Sequence, residues 1–402
     1  MKVVHITTYL HGGAGIAAIR LHLELLNQGI DSHIISLANT TVSQVDNHHP
    51  VSVRQTKFHE KVLNKFGIRL NSAYRNAHRL KQLKGEYEIV TFHDTDYRIE
   101  NIEVIKNADI IHLHWIAGFV NYNSFFKKLA NKKIVWTLHD LNPIQGIFHY
   151  KNDEIINKSF EDLNSQVFHK KMTAIRSARN LHFICLNSWM KRELNKVMGS
   201  NVSSTILPNV VNEKEFYLEE PIVRPNAINL LLIADNINNP RKGIDLVIKS
   251  LKKLKHKDKI KIYVAGRGNL VFPRDIEVVP LGSIGDTATL RKVYNQCDYL
   301  LLPSREDNLP NTMVEALLCG TAVISFKVGG MTDHILKNVN GFTIVPYDVN
   351  QMAEQIDYIT ENNFTLSKDK ISEQAHQTFS QTNIHKYINL YKELMNEKLA
   401  LQ

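Results

Sequence analysis

The chain has 402 residues, of which 43% are hydrophobic and 22% charged, and its formal net charge is +9. These values exclude a disordered chain, a collagen-like chain and a small disulfide scaffold, and the length predicts two domains. The three cysteines, Cys185, Cys297 and Cys319, lack the spacing of zinc ligands or a redox pair. We therefore expect no structural metal and a location in the reducing cytoplasm. No apolar run approaches the roughly 18 residues of a membrane helix, and we expect neither a signal peptide nor a membrane span.

Short apolar runs alternate with helical stretches along the whole chain, which is typical of βαβ units around a parallel sheet. The strands predicted in the first half are 3–6, 33–37, 89–92, 110–114, 134–138, 181–185 and 204–207. Those predicted in the second half are 229–233, 260–265, 276–280, 299–302, 322–326 and 342–345. Each set fills one doubly wound sheet, so we expect an α/β fold of two Rossmann-like domains facing each other across a cleft. Ligands in such sheets bind beyond the carboxyl ends of the strands.

The first candidate loop follows the first strand and contains Gly12, Gly13 and Gly15. Glycines let the backbone approach a ligand closely, and the amides at the start of the next helix favour anionic groups. A tight turn without a ligand explains the same residues, so both interpretations remain open.

A basic segment follows between Val51 and Lys84, where nine lysines and arginines accompany the single acid Glu60, a local net charge of +8. Apolar residues recur within it at helical spacing, which predicts an amphipathic helix with a basic flank: Phe58, Val62, Phe66 and Leu70. The segment is a solvated face or a site for an anionic membrane surface. Nucleic acid is the third interpretation, against which the absence of any nucleic-acid fold signature argues.

Histidines lie at or beyond the ends of two predicted strands, where side chains reach the expected ligand site. His112 and His114 alternate on one strand, and His139 follows the next. Histidine donates or accepts a proton near neutral pH, which makes His139 the candidate for catalysis. A hydrogen-bonded structural role remains open for all three.

A polar, proline-bearing stretch after residue 207 separates the two sets of strands, and we place the domains at 1–208 and 209–380. In the second domain, Arg241 and Lys242 follow the first strand and suit a diphosphate, unless they are merely solvated. A later loop carries Asp307 and leads into a short helix with Glu315, which ends at Gly320. The two acids could hold sugar and ribose hydroxyls around the helix amides. Alternatively, Thr312 and Glu315 form only a capping box.

Together these motifs resemble the family-4 retaining glycosyltransferases of the GT-B fold over essentially the whole chain. The family pattern is an acid, seven residues, a glutamate, a helix ending in glycine, and a strand leading to Gly-Gly; here it comprises Asp307, Glu315, Gly320 and Gly329–Gly330. The first-domain sequence motifs at 12–15, 108–115 and 136–140 are similar to those of the subgroup that makes colanic acid and other bacterial exopolysaccharides.

The resemblance implies roles for individual residues. The catalytic residues would be His139, which contacts the donor sugar near the reaction centre, and Asp307, which holds that sugar. Glu315 would bind the donor ribose, and Arg241 and Lys242 would neutralise the diphosphate leaving group. The other donor-binding positions implied are Gly13, Ser283, Ile284, Asn308, Leu309, Pro310, Asn311 and Thr312. The terminal helix at 381–402 would pack back on the first domain, although an ordinary terminal core helix fits equally well.

The predicted function is transfer of a hexose from a nucleotide-diphosphate sugar, with a UDP-sugar favoured over a GDP-sugar, to a glycan or lipid-diphosphate-linked acceptor in surface polysaccharide synthesis. The resemblance implies retention of configuration and neither metal nor other cofactor. We expect a cytoplasmic enzyme that docks on the inner membrane leaflet through residues 51–84 and binds no nucleic acid. The alternatives are a GT-B nucleotide-sugar epimerase, which would turn over without an acceptor, and a non-catalytic nucleotide-sugar-binding protein.

Overall fold

The computed structural model describes residues 1–38, 45–81, 83–220, 227–380 and 383–397. The chain divides into one unit of Met1–Asn209 with Ile384–Gln402 and a second unit of Val210–Asn383. Each unit contains its own parallel sheet flanked by helices, which confirms the predicted α/β class. Parts of two predicted segments lie outside the described residues, namely 221–226 of the polar stretch and 381–382 and 398–402 of the terminal helix.

The first unit is built on seven strands in the order β3-β2-β1-β4-β5-β6-β7, and the neighbouring strands pair in parallel. The strands are β1 (Lys2–Ile6), β2 (Asp31–Leu37), β3 (His48–Val51), β4 (Ile110–Leu113), β5 (Lys133–Leu138), β6 (Leu181–Cys185) and β7 (Ser204–Ile206). The helices are α1 (Gly12–Asn27), α2 (Phe58–Lys65), α3 (Ser72–Lys81), α4 (Glu103–Lys106), α5 (Tyr122–Lys128), α6 (Lys151–Ile156), α7 (Glu161–Ser177) and α8 (Ser188–Met198).

The direction of winding in this sheet changes between β1 and β4, which lie side by side at its centre. The loops that follow these two strands therefore meet at one end of the sheet. The Thr8 amide donates to the Trp115 carbonyl at 2.7 Å, and the Thr8 hydroxyl donates to the Ala117 carbonyl at 2.9 Å. Such a switch point is where open α/β sheets bind ligands.

The second unit has six parallel strands in the order β10-β9-β8-β11-β12-β13. They are β8 (Ile228–Asn236), β9 (Ile260–Arg267), β10 (Glu277–Gly282), β11 (Tyr299–Leu302), β12 (Ala322–Phe326) and β13 (Gly341–Ile344). The helices are α9 (Ile244–Leu251), α10 (Thr287–Gln296), α11 (Asn311–Leu318), α12 (Val349–Glu361) and α13 (Lys368–Phe379). Here the switch point lies between β8 and β11.

The last helix, α14 (Ile384–Asn396), belongs to the first unit and packs near α1. Its buried residues are Ile384, Tyr387, Ile388, Leu390, Tyr391 and Leu394. Helical spacing in the sequence places Met395 on the same side of the helix, but its side chain is 42% exposed. Within the described residues, no helix has both the length and the apolar character needed to cross a membrane.

Two further local predictions are wrong, and one strand was missed. Residues 89–92 form no strand and contribute only an isolated antiparallel bridge between Val90 and Phe148, because this run packs into a small separate core. The edge strand β3 was missed because its residues are mostly polar and include Pro50, which an edge tolerates. The basic amphipathic helix ends at Lys65 instead of continuing to Leu70, since Gly67 follows in a left-handed conformation with φ of 81°.

Candidate active site

The loop after β8 holds the two predicted phosphate-binding cations in a short 3₁₀ turn, Pro240–Lys242. The Asn239 side chain begins this turn by accepting a hydrogen bond from the Arg241 amide at 2.9 Å. The side chains of Arg241 and Lys242 are only 15% and 24% exposed. The alternative that Arg241 and Lys242 are merely solvated is therefore wrong.

The loop after β11 brings Asp307 into contact with both cations. Its Oδ2 atom lies 3.2 Å from an Arg241 guanidinium nitrogen and 2.8 Å from the Lys242 Nζ. Burial raises the pKa of Asp307, but the neighbouring charges of Lys242 and Arg241 outweigh burial and bring the pKa down to about 2. The carboxylate is thus ionised at neutral pH, and three predicted residues form one charged cluster at the switch point of the sheet.

Two glycines permit the close approach of the loops that carry this cluster. A Cβ atom on Gly243 would lie 2.0 Å from the Pro303 carbonyl oxygen, and one on Gly329 would lie 1.9 Å from the Asp307 carbonyl oxygen. Both residues have positive φ, 68° and 57°. The segment before α11 is therefore packed between the loop after β8 and the loop after β12.

Arg305 ties the same loops together. Its amide donates to the Arg241 carbonyl at 2.7 Å, and its guanidinium forms a two-bond fork with the Asp245 carboxylate, with both distances 2.8 Å. Planar forks of this kind fix orientation as well as charge. Sequence reasoning did not assign Arg305 and Asp245, because nothing in their spacing shows that they meet.

Glu315 lies in α11 with its carboxylate buried, and it accepts a hydrogen bond from the Tyr294 hydroxyl at 3.0 Å. The helix begins at Asn311 after Pro310, so Thr312 is already helical and is not the residue that caps the helix. The capping-box alternative for Thr312 and Glu315 is therefore wrong. Tyr294 was missed because it lies on α10, where its spacing is that of an ordinary core residue.

The remaining predicted donor-binding residues of the second unit occupy the same end of its sheet. Asn308, Leu309 and Pro310 are buried in the segment before α11, whereas Asn311 and Thr312 are half-buried in its first turn. Ser283 and Ile284 follow the edge strand β10; Ser283 is exposed and Ile284 half-buried.

In the first unit, the glycine loop continues directly into α1, whose first turn carries no acidic side chain. Gly13 is exposed in that turn. Gly15 is buried, and a Cβ atom there would lie 2.5 Å from the Tyr9 carbonyl oxygen. The loop thus requires glycine at position 15 for packing, while position 13 remains open to solvent.

His139 follows β5 and is hydrogen-bonded through Nε2 to Nδ1 of His114, with 3.1 Å between the nitrogens. Burial lowers the pKa of His139 to about 4, against the opposing charge of Asp140. The imidazole is therefore neutral at pH 7. A structural role for His114 is consistent with this contact.

Asp140 anchors the loop that carries His139. Its carboxylate accepts hydrogen bonds from His149 at 2.6 Å and from the Trp115 indole at 2.8 Å. Burial opposes ionisation, yet the charge of His149 and these hydrogen bonds hold the pKa of Asp140 below its usual range. From α7, the buried Lys171 ammonium donates to two carbonyls of this loop, those of Asn142 and Gly146. Sequence reasoning assigned no role to the nearby His149, because spacing along the chain does not show its contact with Asp140. Lys171 was missed because it lies on a separate helix, α7.

Three buried histidines lie beside this loop, and the nitrogens of His5, His112 and His114 approach within 4.8 Å of one another, close enough to hold a metal ion. Both nitrogens of His112 are, however, bonded at 2.7 Å to the hydroxyls of Thr137 and Tyr391. Both nitrogens of His114 are bonded to other histidines. The cluster is therefore already satisfied as a hydrogen-bonded network, apart from one nitrogen of His5.

Known glycosyltransferases resemble this chain in both sequence and fold. Residues 228–362 match the family model described as "Glycosyl transferases group 1". The colanic acid biosynthesis glycosyl transferase WcaC of Escherichia coli is 22% identical, with 95% of this chain and 97% of that protein covered. Among solved structures, sucrose-phosphate synthase of Thermosynechococcus elongatus superposes with a TM-score of 0.65 at 15% identity, covering 98% and 99% of the two chains. Anabaena HepE in complex with UDP and glucose superposes with a TM-score of 0.62 at 15% identity, again covering 98% and 99% of the two chains.

Proposed function

We propose a donor, an acceptor and a mechanism for this chain, which is a glycosyltransferase of the GT-B fold with a group 1 domain at residues 228–362. The reaction is transfer of a hexose from a UDP-sugar to a glycan on a lipid diphosphate, with retention of configuration, as in family 4. The relatives support this assignment, since WcaC is described as acting in colanic acid biosynthesis and another relative is encoded in a Klebsiella pneumoniae cps region.

The observation that carries the proposal is the charged cluster of Asp307, Arg241 and Lys242 at the switch point of the second sheet. Two cations, held by one carboxylate, suit a diphosphate because they can exchange an internal counter-ion for the ligand. Anabaena HepE, which shares the fold, has been solved with UDP and glucose. We therefore assign the donor diphosphate to Arg241 and Lys242 and the donor sugar to Asp307.

The same cluster supplies the proposed chemistry. As the bond between the sugar and the diphosphate breaks, negative charge grows on the leaving phosphate, and Arg241 and Lys242 stabilise that charge. A phosphate oxygen of the leaving group removes the proton from the acceptor hydroxyl as that hydroxyl attacks from the same face, which retains configuration. This route needs no enzyme nucleophile and no metal ion.

Other residues complete the proposed donor site. Glu315 binds the ribose hydroxyls, and the segment Asn308–Thr312 contributes contacts around the sugar and the diphosphate. Ser283 and Ile284, at the end of β10, meet the base. In the first unit, His139 contacts the donor sugar, and Gly13 lies in the loop assigned to the donor phosphates and the acceptor.

The surface formed by α2 and the residues after it supports docking on an anionic membrane at the cytoplasmic face. Phe58 and Phe66 are 82% and 77% exposed, and Ile68 and Leu70 are each 50% exposed. Lys57, Lys61 and Lys65 are also exposed, at four-residue spacing beside Phe58 and Val62. Exposed aromatic side chains next to lysines favour insertion into the headgroup region combined with attraction to anionic lipids. A lipid-linked acceptor would be found at that surface.

Calorimetric titration with UDP and with GDP in the absence of metal tests the donor assignment. We expect UDP to bind in the micromolar range and the Glu315→Ala variant to lose about 1–3 kcal/mol of binding free energy, since a charged hydrogen-bond partner is removed. Tyr294→Phe is the matched control, because it removes the same internal hydrogen bond but keeps the carboxylate. If both variants weaken UDP equally, Glu315 acts through packing and not through the ribose.

Turnover separates the transferase from its alternatives. We expect release of UDP from a UDP-hexose to depend on a lipid-diphosphate-linked glycan. Conversion of the donor to its epimer without any acceptor would establish an epimerase, and UDP binding without either reaction would establish a non-catalytic binding protein.

A further inference from the structure

A chain of hydrogen-bonded imidazoles runs through the core of the first unit and ends at His139. His5 on β1 is bonded through Nδ1 to Nε2 of His114 at 3.0 Å, and His114 is bonded through Nδ1 to Nε2 of His139 at 3.1 Å. Register explains why they meet, since His5 pairs directly with His112 and His114 lies on the same face two residues later. His5 and His114 are buried, at 0% and 3% exposure, whereas His139 is half-buried.

Each hydrogen bond between two of these imidazoles joins two nitrogens, so one hydrogen lies between them and belongs to one of the two rings. Burial and the neighbouring histidines lower the pKa of His5 and of His114 well below the ordinary value, and burial lowers that of His139 to about 4. All three rings are thus neutral at pH 7, and each carries a single N–H. It follows that the hydrogens of the chain all point in one direction, either toward His139 or toward His5.

The two ends of the chain decide the direction. Nε2 of His5 is buried and has no hydrogen-bond partner among the described residues. A hydrogen on that nitrogen would be a buried donor without an acceptor, and orphaned buried N–H groups are rarer in proteins than unsatisfied acceptors. At the other end, His139 is only half-buried whereas His5 is fully buried, so the His139 ring is the less costly place for the outermost hydrogen.

We propose that His5 and His114 are positioning residues that fix His139 in the tautomer protonated on Nδ1. Nδ1–H of His5 donates to Nε2 of His114, and Nδ1–H of His114 donates to Nε2 of His139. His139 then carries its own hydrogen on Nδ1, the ring atom that His114 does not engage. The role of His139 in the reaction rests on the proposed function. In that reaction, His139 donates a hydrogen bond to an oxygen of the donor sugar or phosphate and is not a general base.

The tautomer is read directly by long-range proton–nitrogen correlation NMR on the full-length protein labelled with ¹⁵N-histidine, near pH 7.5 and without ligand. The His139 signals are identified as those missing from the His139→Gln variant. We expect His139 to show the hydrogen on Nδ1. A hydrogen on Nε2 of His139, or metal bound stoichiometrically to the three-histidine cluster, overturns the proposal.

Variants of His114 test whether the chain sets this tautomer. His114→Asn places an amide donor near the position of the lost Nδ1–H, and we expect His139 to keep its tautomer. His114→Leu removes the donor, and we expect a mixture of both tautomers. His182→Asn is the control, because His182 is hydrogen-bonded to Ser203 and Thr205 and is not part of the row of hydrogen-bonded imidazoles. If His114→Leu is folded by thermal melting and leaves the tautomer unchanged, the positioning role is wrong.

Kinetics with UDP-glucose then connects the tautomer with the reaction. We expect kcat for UDP release to fall about tenfold in His114→Leu and to recover in His114→Asn, with KM nearly unchanged. Because the NMR measurement uses no ligand, it decides the tautomer even if UDP-glucose does not bind. Absence of turnover would count against the proposed donor alone, whereas a changed tautomer with unchanged kcat would count against the positioning role in the reaction.

Discussion

The Nζ atom of Lys242 lies 2.8 Å from Oδ2 of Asp307, although 65 residues separate them in sequence. The contact joins the loops after β8 and β11, the two central strands of the second sheet. A ligand diphosphate and the Asp307 carboxylate would therefore compete for the same ammonium group.

This competition predicts opposite effects of one substitution on two ligands. We expect Asp307→Asn to bind free UDP more tightly, by roughly three- to tenfold, because the two cations lose their internal counter-ion. Turnover of a UDP-sugar should fall, since Asp307 is the proposed contact to the sugar. Calorimetry and UDP release measure the two effects. Asp275→Asn, which breaks an exposed ion pair with Lys257, should change neither. Weaker UDP binding by Asp307→Asn would contradict the competition.

The packing of Gly329 against Asp307 predicts a second loss of function. Gly329→Ala must move the Asp307 backbone in addition to adopting a positive φ. Gly29 has a similar φ of 71°, but a Cβ atom there would have no neighbouring atom within 4 Å, so Gly29→Ala carries only backbone strain of about 1–2 kcal/mol. We expect Gly329→Ala to lower the melting temperature more than Gly29→Ala and to weaken UDP binding at least tenfold. Equal melting temperatures and unchanged affinity would show that the loop relaxes without cost.

The buried histidines of the first unit predict a loss of stability in mild acid. Burial lowers the pKa of His112 to about 3 and those of His139 and His182 to about 4. These pKa values lie below the pKa of an unfolded histidine. The contribution of the three histidines to stability is therefore fully present above pH 6.5 and is lost as the pH falls toward 4. We expect each of the three histidines to lower the free energy of unfolding by about 1.5 kcal/mol between pH 6.5 and 5.

Thermal or denaturant unfolding across this pH range measures the effect. His112→Gln should show a shallower dependence than the wild type, by up to about 1.4 kcal/mol per pH unit. His169→Gln alters an exposed histidine and should follow the wild-type curve. Parallel curves for the wild type and His112→Gln would mean that His112 is charged in the folded protein or already neutral in the unfolded one.

The basic surface of α2 predicts binding to anionic vesicles that salt weakens. We expect sedimentation with phosphatidylglycerol vesicles but not with phosphatidylcholine vesicles, and weaker binding above about 0.5 M salt because charges are screened. Replacing Lys57, Lys61 and Lys65 together by glutamate should abolish binding.

Two further variants separate charge from insertion. Phe58→Ser combined with Phe66→Ser should weaken vesicle binding while leaving its salt dependence intact. Charge reversal at Lys252, Lys253 and Lys255, exposed lysines of the second unit, is the matched control and should have little effect. If both triple charge reversals reduce binding equally, attraction depends on total charge and not on the surface of α2.

Local sequence predicted most of the sheet strands because fully buried parallel strands are continuous apolar runs. The failures have specific causes. The run at 89–92 is mostly apolar, but its Phe92 is buried in a small cluster with Phe148 and Phe160 and the run does not join the sheet. The missed strand β3 is at an edge, where polar residues such as His48 and His49 are allowed because only one neighbour must be paired.

Sequence also identified which loops to examine in the candidate site, because loops after parallel strands gather at one end of a sheet. It could not identify the partners of the loop residues. Tyr294, which bonds Glu315, and His5, which begins the imidazole chain, have the spacing of ordinary core residues. Their contacts depend on strand order and register, which spacing along the chain does not encode.

The sequence by itself therefore determined the fold class, the strand-end loops and the residue types available for chemistry, because apolar periodicity and glycine placement are local properties. Only the tertiary structure decided that Asp307 meets Arg241 and Lys242, and that His114 meets both His5 and His139. The physical reason is that these contacts form between neighbouring strands or their loops, and strands distant in sequence become neighbours only when the sheet is assembled.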